Sequence, residues 1–270
     1  MFENFLKVKT ISLALGSGSA KGAAHIGVIK TLEENRCKIK ALAGTSMGAI
    51  VASYYAFGKL NLLEDWLISL SKASAFRTLD FSVSGGFISG NKLMKHFENH
   101  LGSVNIEDSP LPLFIVAANL DTGAKEVFDK GPLIPAIRAS ISIPGVFKPY
   151  FYKGTYFADG ALIDPVPVTV LKERGFKNIV AVCLNEYLGK RKQEEKLSIS
   201  ETFTRSVTIA ARALANNCQN CSLATVKPNL SSYSMFEIHK AKEIIEIGHQ
   251  AAQNMINSGG LNRFKKRKSL

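Results

Sequence analysis

A chain of 270 residues that is 46% hydrophobic and 21% charged can bury a full core as one domain, and its Gly- and Pro-rich stretches are too scattered to mark a boundary. The net charge of +12 implies attraction to anionic surfaces; without zinc-finger spacing or an aromatic-studded RNA-binding signature, phospholipid headgroups are the expected partner and nucleic acid is not. Four cysteines, Cys37, Cys183, Cys218 and Cys221, are too few and too unevenly spaced for a disulfide framework, which fits a reducing compartment.

Met1 to Lys7 lack a basic n-region, a long apolar stretch and a small-residue cleavage site, so a cytoplasmic protein, peripheral at the inner membrane surface, is expected. Ile11 to Leu15 read as a short apolar strand that runs into the Gly-rich stretch Gly16 to Gly22, and Ala23 to Leu32 read as a helix. A strand, a Gly-rich loop and a helix start together expose backbone N–H groups to an anion, whether a phosphate or the oxyanion of acyl transfer. The dinucleotide and phosphate-loop patterns both fail: the third glycine comes one position late, and Lys21 is followed by Gly22 rather than Ser or Thr. His25, among small and apolar neighbours, reads as a packed, hydrogen-bonded histidine.

Ile39 to Ala43 form a second buried strand, followed by Gly44-Thr45-Ser46-Met47-Gly48 and a helix from Ala49 to Phe57 that ends at Gly58. Residues 41–58 carry no formal charge and are long enough to cross a bilayer, yet their glycines and hydroxyls read better as strand, turn and buried helix. Leu60 to Leu70 place Leu62, Leu63, Trp66, Leu67 and Leu70 at helical spacing toward the core. Ser82 to Gly90 form a Ser/Gly-rich loop that reads as a connector or as a flexible flap near the site, and Asn91 to Leu101 an amphipathic helix with His96 and His100 on its more polar side.

Leu113 to Asn119 are a buried strand, and Lys125 to Phe128 a strand paired to it after the turn at Asp121-Thr122-Gly123. Pro135 to Ser142 read as a short helix stopped at Pro144. Tyr150 to Phe157 alternate aromatic residues about Lys153-Gly154, as in a hairpin that delivers Ala158-Asp159-Gly160-Ala161 at its end. A helix follows from Asp164-Pro165 to Arg174, closed by Gly175, then a strand from Asn178 to Leu184. Residues 186–200 are a charged surface linker. Two helices end the chain: Glu201 to Asn217, with Phe203, Val207, Ala210, Ala211 and Leu214 on one face, and His239 to Ile256, with Ile244, Ile245, Gly248, Ala251, Ala252 and Met255 on one face. Arg263 to Lys268 form a basic tail. Cys218 and Cys221 make a Cys-x-x-Cys, but no second pair or histidine cluster completes a zinc site, and no metal or cofactor is expected.

A strand that turns sharply into a helix strains the residue between them, and glycines on both sides leave the turn uncrowded. Ser46 then stands at a helix N-terminus, where developing negative charge is favoured, and reads as a nucleophile; the same residues also fit a plain helix cap. Asp159 is either a turn residue or the base for that serine, if a partly dry pocket raises its proton affinity and Gly160 leaves room for the approach.

Three stretches in this order, Gly16 to Gly22, Gly44 to Gly48 and Asp159-Gly160-Ala161, resemble the patatin-like phospholipases, with support from Ala23 to Val28 and from Arg138 to Pro144. The resemblance spans about Ile11 to Leu184. It implies a three-layer α/β/α fold with a mainly parallel central sheet and a nucleophile elbow. It also implies a Ser–Asp dyad in which Ser46 is the nucleophile, Asp159 the general base, and the amides of Gly18 and Ser19 the oxyanion hole, with Gly16, Gly22, Gly44, Gly48 and Gly160 supporting the motifs. Where family loops often show three adjacent glycines, this chain reads Ser17-Gly18-Ser19.

The expected activity is hydrolysis of a lipid ester, of phospholipase A or lysophospholipase type, through a covalent acyl-enzyme. Two alternatives remain open: an α/β-hydrolase triad in which His239 or His249 joins Ser46 and Asp159, and a non-catalytic lipid- or protein-binding module on the same fold. The expected organisation is a catalytic core over 11–184, a linker or mobile loop over 185–200, a helical segment over 201–257 packed on the core, and a basic tail over 258–270, all within one domain.

Overall fold

Side chains alternate across a strand, so β1 (Lys9–Leu15) sends Ile11, Leu13 and Leu15 to one face and Ala14 to the other. The computed structural model describes residues 8–74, 88–184, 199–219 and 222–261, and its layers follow that division. Seven further strands join β1 among the described residues: β2 (Cys37–Thr45), β3 (Leu113–Asn119), β4 (Lys125–Phe128), β5 (Tyr150–Tyr152), β6 (Thr155–Asp159), β7 (Ile179–Val182) and β8 (Ala224–Val226). Their order is β5-β6-β3-β2-β1-β7-β8, with β4 also paired to β3. The pairs among β3, β2, β1, β7 and β8 are parallel; β4, β5 and β6 pair antiparallel.

Large side chains on one face are covered by α1 (Ala24–Glu34), α2 (Met47–Ala56), α3 (Leu60–Ser69), α4 (Asn91–Leu101), α5 (Leu133–Ser140) and α8 (Ala241–Asn257). On the other face Ala14, Ala41, Ala43 and Ala181 are small, and α6 (Val168–Glu173) and α7 (Ile199–Gln219) pack there. This is a three-layer α/β/α fold about a mainly parallel sheet. A register shift between Ile11, opposite Ile39, and Leu13, opposite Leu42, lets Ile39 and Leu42 share the large-residue face although they lie three positions apart. The helices α1 and α8 cross at backbone contact: a Cβ at Gly27 would run into the Ile245 carbonyl, and one at Gly248 into the Ala24 carbonyl.

Several expectations need correction. Leu62, Phe203 and Ala210 are exposed rather than inward, because the buried stripes of α3 and α7 run through Leu60, Leu63 and Leu67 and through Ala211 and Ala215. The short helix before Pro144 is α5, which begins two residues earlier and ends at Ser140. His96 and His100 are half-buried in an aromatic cluster: His96 packs on Trp66, with ring centroids 4.3 Å apart, and the Tyr54 hydroxyl bonds His100 Nδ1 at 3.1 Å. Strand β8 was not expected; three residues without alternation give no periodic signal. Residues 41–58 form β2, a turn and α2, and no described helix is long and apolar enough to cross a membrane. The expected linker over 186–198, most of the 82–90 loop, the 262–270 part of the tail and Cys221 lie outside the described residues.

Candidate active site

Ser46 sits between β2 and α2 with φ 57° and ψ −125°, a left-handed backbone that costs a non-glycine residue on the order of 1–3 kcal/mol. Both flanking glycines are forced by close approach. A Cβ at Gly44 would collide with the Gly48 carbonyl, and one at Gly48 with the carbonyls of Leu15 and Gly16, so the elbow is pressed against the end of β1. Ser140, at the end of α5, holds the strained residue. Its Oγ accepts the Ser46 N–H at 2.9 Å and donates to the Val116 carbonyl at 2.7 Å.

Strand β3 brings the second group alongside. Its Val116 lies opposite Thr45 of β2, and its next residue, Ala117, lies opposite Asp159 of β6, so the residues ending those two strands meet. Ser46 Oγ donates to Asp159 Oδ2 at 2.6 Å, Asp159 Oδ1 accepts the Ala161 N–H at 2.8 Å, and the Asp159 N–H donates to the Ser142 carbonyl at 2.9 Å. Gly160 permits this approach, since a Cβ there would meet the Val116 carbonyl and the Thr45 methyl. Ser46 and Asp159 are each 3% exposed. Burial pushes the Asp159 carboxyl up to about 7, while the hydrogen bonds from Ser46 and Ala161 pull it the other way. A carboxylate with that proton affinity can take a hydroxyl proton near neutral pH.

The Gly-rich loop follows β1 on the same end of the sheet. Most of its amides are committed: Gly16 N–H to the Val182 carbonyl at 3.0 Å, Ser17 to Pro165 at 2.8 Å, Ala20 to Met235 at 3.2 Å and Lys21 to Gly18 at 3.0 Å. Those of Gly18 and Ser19 donate to nothing among the described residues. Ser19 takes a left-handed φ of 48° in place of a glycine. Gly16 is wedged between the Val182 and Pro165 carbonyls, and Gly22 lies against the Met47 side chain. His25 is the packed histidine expected: fully buried, it donates from Nε2 to the Gly16 carbonyl at 2.7 Å, and burial lowers its pKa to about 4, which keeps it neutral. Its Nδ1 has no partner.

Sequence reasoning missed the supporting shell. Arg138 is buried; its Nη1 donates to Ser142 Oγ at 2.7 Å and its Nη2 to the Ser89 and Lys148 carbonyls at 2.7 and 2.9 Å, while the guanidinium lies over the Phe147 and Tyr150 rings. Ser142 in turn accepts the Asp159 N–H on its carbonyl, so Arg138 reaches the backbone of Asp159 through one residue. A charged residue in an otherwise apolar helix was the available signal. Neither late histidine bonds Ser46 or Asp159: His249 Nδ1 is hydrogen-bonded to Thr31 Oγ1 at 2.7 Å, and His239 lies in a 3-10 turn before α8. Among the described residues no cluster of three or more His, Cys, Asp or Glu could hold a metal.

A serine on a strained strand-to-helix elbow, hydrogen-bonded to a buried aspartate at the carboxyl end of a mainly parallel sheet, is an arrangement suited to nucleophilic attack on an acyl group. Residues 13–172 match the patatin-like phospholipase family, and the chain belongs to it. Uncharacterised NTE family proteins of Mycobacterium tuberculosis and Mycobacterium bovis are 42% identical over 199 residues, 73% of this chain and 55% of theirs. A lysophospholipase NTE1 of Candida albicans is 30% identical over 184 residues, 66% of this chain and 13% of that one. The chain thus spans about half the length of the mycobacterial relatives and a small part of the yeast one. The solved structure of VipD from Legionella pneumophila aligns with 93% of this chain and 67% of its own at 12% identity and a TM-score of 0.48.

Proposed function

We propose that this chain is a serine acyl-ester hydrolase acting on lipids, of phospholipase A or lysophospholipase type, with Ser46 as nucleophile and Asp159 as general base. The observation that carries the reading is the 2.6 Å hydrogen bond from Ser46 Oγ to Asp159 Oδ2 inside a buried site. Asp159 takes the hydroxyl proton as Ser46 Oγ bonds to the ester carbonyl carbon. The carbonyl oxygen becomes an oxyanion, which the uncommitted amides of Gly18 and Ser19 receive. Collapse breaks the ester C–O bond, and Asp159 returns the proton to the departing alcohol oxygen. Water, deprotonated by Asp159, then cleaves the acyl-enzyme to a fatty acid and free Ser46. Each step uses only groups of this chain, substrate and water.

The lipid substrate rests on membership of the patatin-like phospholipase family and on the Candida relative's name. With a net charge of +12, peripheral contact with an anionic membrane surface from the cytoplasmic side belongs to the same reading. So does a single folding unit, since α8 packs on α1 and β8 extends the sheet. Hydrolysis of lysophosphatidylcholine and of short soluble esters is the test. Wild type is expected to release fatty acid from the lipid, Ser46→Ala to release none above the uncatalysed rate and Asp159→Asn to be slower by orders of magnitude, both variants shown folded by circular dichroism; cleavage by Ser46→Ala, or wild-type cleavage by Asp159→Asn, contradicts the dyad.

A further inference from the structure

The carboxyl end of the sheet, where Ser46 lies, also carries exposed apolar side chains on two segments. Strand β6 runs antiparallel to β3, with Phe157 opposite Asn119, so the Lys153-Gly154 turn extends past the end of β3. On that hairpin Phe151, 57% exposed, lies directly opposite Tyr156, with ring centroids 4.8 Å apart, and Leu120 joins them by donating its N–H to the Tyr156 carbonyl at 2.8 Å. Across the site, the segment after β8 emerges at the same end because β8 is parallel to β7. It leans on the Gly-rich loop through the bond from Ala20 N–H to the Met235 carbonyl, and its next residue, Phe236, is 64% exposed. Four of the nine large hydrophobic side chains exposed among the described residues therefore stand at this one end.

The charges at this end fit an anionic partner. Lys153 lies in the hairpin turn and Lys148 two residues before β5, and both are exposed. Of the acids nearby, Glu237 is paired with the Lys240 ammonium and accepts the Ser234 N–H, and Asp121, whose Oδ2 accepts the Tyr156 N–H, leaves the two lysines in excess. Aromatic side chains with lysines beside them suit the headgroup boundary of a bilayer, where the rings reach acyl chains and the ammonium groups stay with phosphate.

We propose that the β5–β6 hairpin, through Phe151, Tyr156, Lys148 and Lys153, with Phe236 on the opposite rim, docks the protein on an anionic phospholipid bilayer and turns the mouth of the Ser46 site toward the lipid. The inference rests on the lipid-hydrolase reading for its purpose but not for its test. Binding is measured with the Ser46→Ala protein, so that no lipid is consumed, by co-sedimentation with vesicles of phosphatidylcholine and phosphatidylglycerol at 3:1 and of phosphatidylcholine alone.

The expected result is sedimentation with the anionic vesicles, weakened by salt, and a loss of about tenfold or more in partitioning for Phe151→Ser/Tyr156→Ser and for Lys148→Glu/Lys153→Glu. In the Ser46-containing background Phe151→Ser/Tyr156→Ser and a Lys153→Glu single variant are expected to leave cleavage of p-nitrophenyl butyrate unchanged, and circular dichroism checks that all the variants fold. No sedimentation of the parent protein, equal sedimentation of the variants, or a self-associated parent that the aromatic substitutions convert to monomer would each overturn the proposal. Failure of the hydrolase reading shows separately, as vesicle binding without ester cleavage by the Ser46 protein.

Discussion

The Ser140 hydroxyl holds Ser46 by its backbone, accepting the Ser46 N–H at 2.9 Å while it donates to Val116 on the strand that also registers Asp159. One buried side chain thus ties the elbow to the strand that positions the aspartate. Ser140→Ala leaves an N–H and a carbonyl unsatisfied in a dry site, at a cost of about 1–3 kcal/mol. Chemical denaturation is expected to show that loss. Esterase kinetics are expected to show kcat reduced more than KM is raised, because the elbow's strain is no longer held.

Arg138 acts on Asp159 through Ser142, whose hydroxyl it supports and whose carbonyl takes the Asp159 N–H. Arg138→Met removes several charge-assisted bonds and is expected to destabilise by about 3 kcal/mol or more. Arg138→Lys cannot span Ser89, Lys148 and Ser142 from one point charge, so it is expected to recover little of the loss in thermal melts.

The pH dependence follows from two buried groups with opposite signs. In the proposed dyad Asp159 acts as base only when ionised, and burial raises its carboxyl to about 7, so kcat/KM is expected to rise with pH through a midpoint near 7 and then level off. For stability the same raised pKa means that the native state holds the proton longer than the unfolded chain does. Asp159 therefore contributes stability at low pH that is lost as pH rises from its ordinary value of 3.8 toward 7. His25 runs the other way: with its pKa lowered from 6.5 to about 4, it contributes stability above pH 6.5 that is lost as pH falls toward 4. Over the shared window the two slopes oppose. Asp159→Asn is expected to unmask the His25 slope, giving stability that climbs more steeply with pH between 4 and 6.5 than in the wild type. Urea titrations at a series of pH values measure it.

Gly160 is the narrowest point of the site, with the Val116 carbonyl where a side chain would go. Gly160→Ala must shift β6 or β3, and a cost of about 1–3 kcal/mol from overpacking is expected in denaturation, with esterase activity lost as Asp159 is pushed off Ser46. Gly154→Ala is the contrast: nothing lies within reach of a Cβ there, so its effect is confined to the strain of φ 83°, and activity is expected to persist.

The elements around the site were legible because their signals are local. The Gly-x-Ser-x-Gly stretch, the Lys153-Gly154 hairpin turn and the Leu113–Asn119 strand each carry their pattern within a few residues, and the structure has the strand at the expected residues and the hairpin turn where it was expected. The family followed from three motifs in order, and residues 13–172 match it. What sequence could not give is the work of residues that act across the fold. Ser140 and Ser142 look like ordinary helix-end hydroxyls until β3 and β6 are laid beside them, and Arg138 finds its acceptors at Ser89 and Lys148, far apart in the chain. The exposed Phe203 and Leu62 misled for the opposite reason: helical spacing says which residues share a face, not whether a partner covers it.

The measurement that tests the Ser46–Asp159 dyad most directly is labelling by a fluorophosphonate, read by intact mass and peptide mapping, on the wild type, Ser46→Ala, Asp159→Asn and a His239→Ala/His249→Ala double variant, each checked for folding. The dyad predicts one adduct on Ser46, absent from Ser46→Ala, slowed by orders of magnitude in Asp159→Asn and undiminished in the histidine double variant. Loss of labelling with the histidines, full labelling of Asp159→Asn, or a folded wild type that takes no label would contradict it.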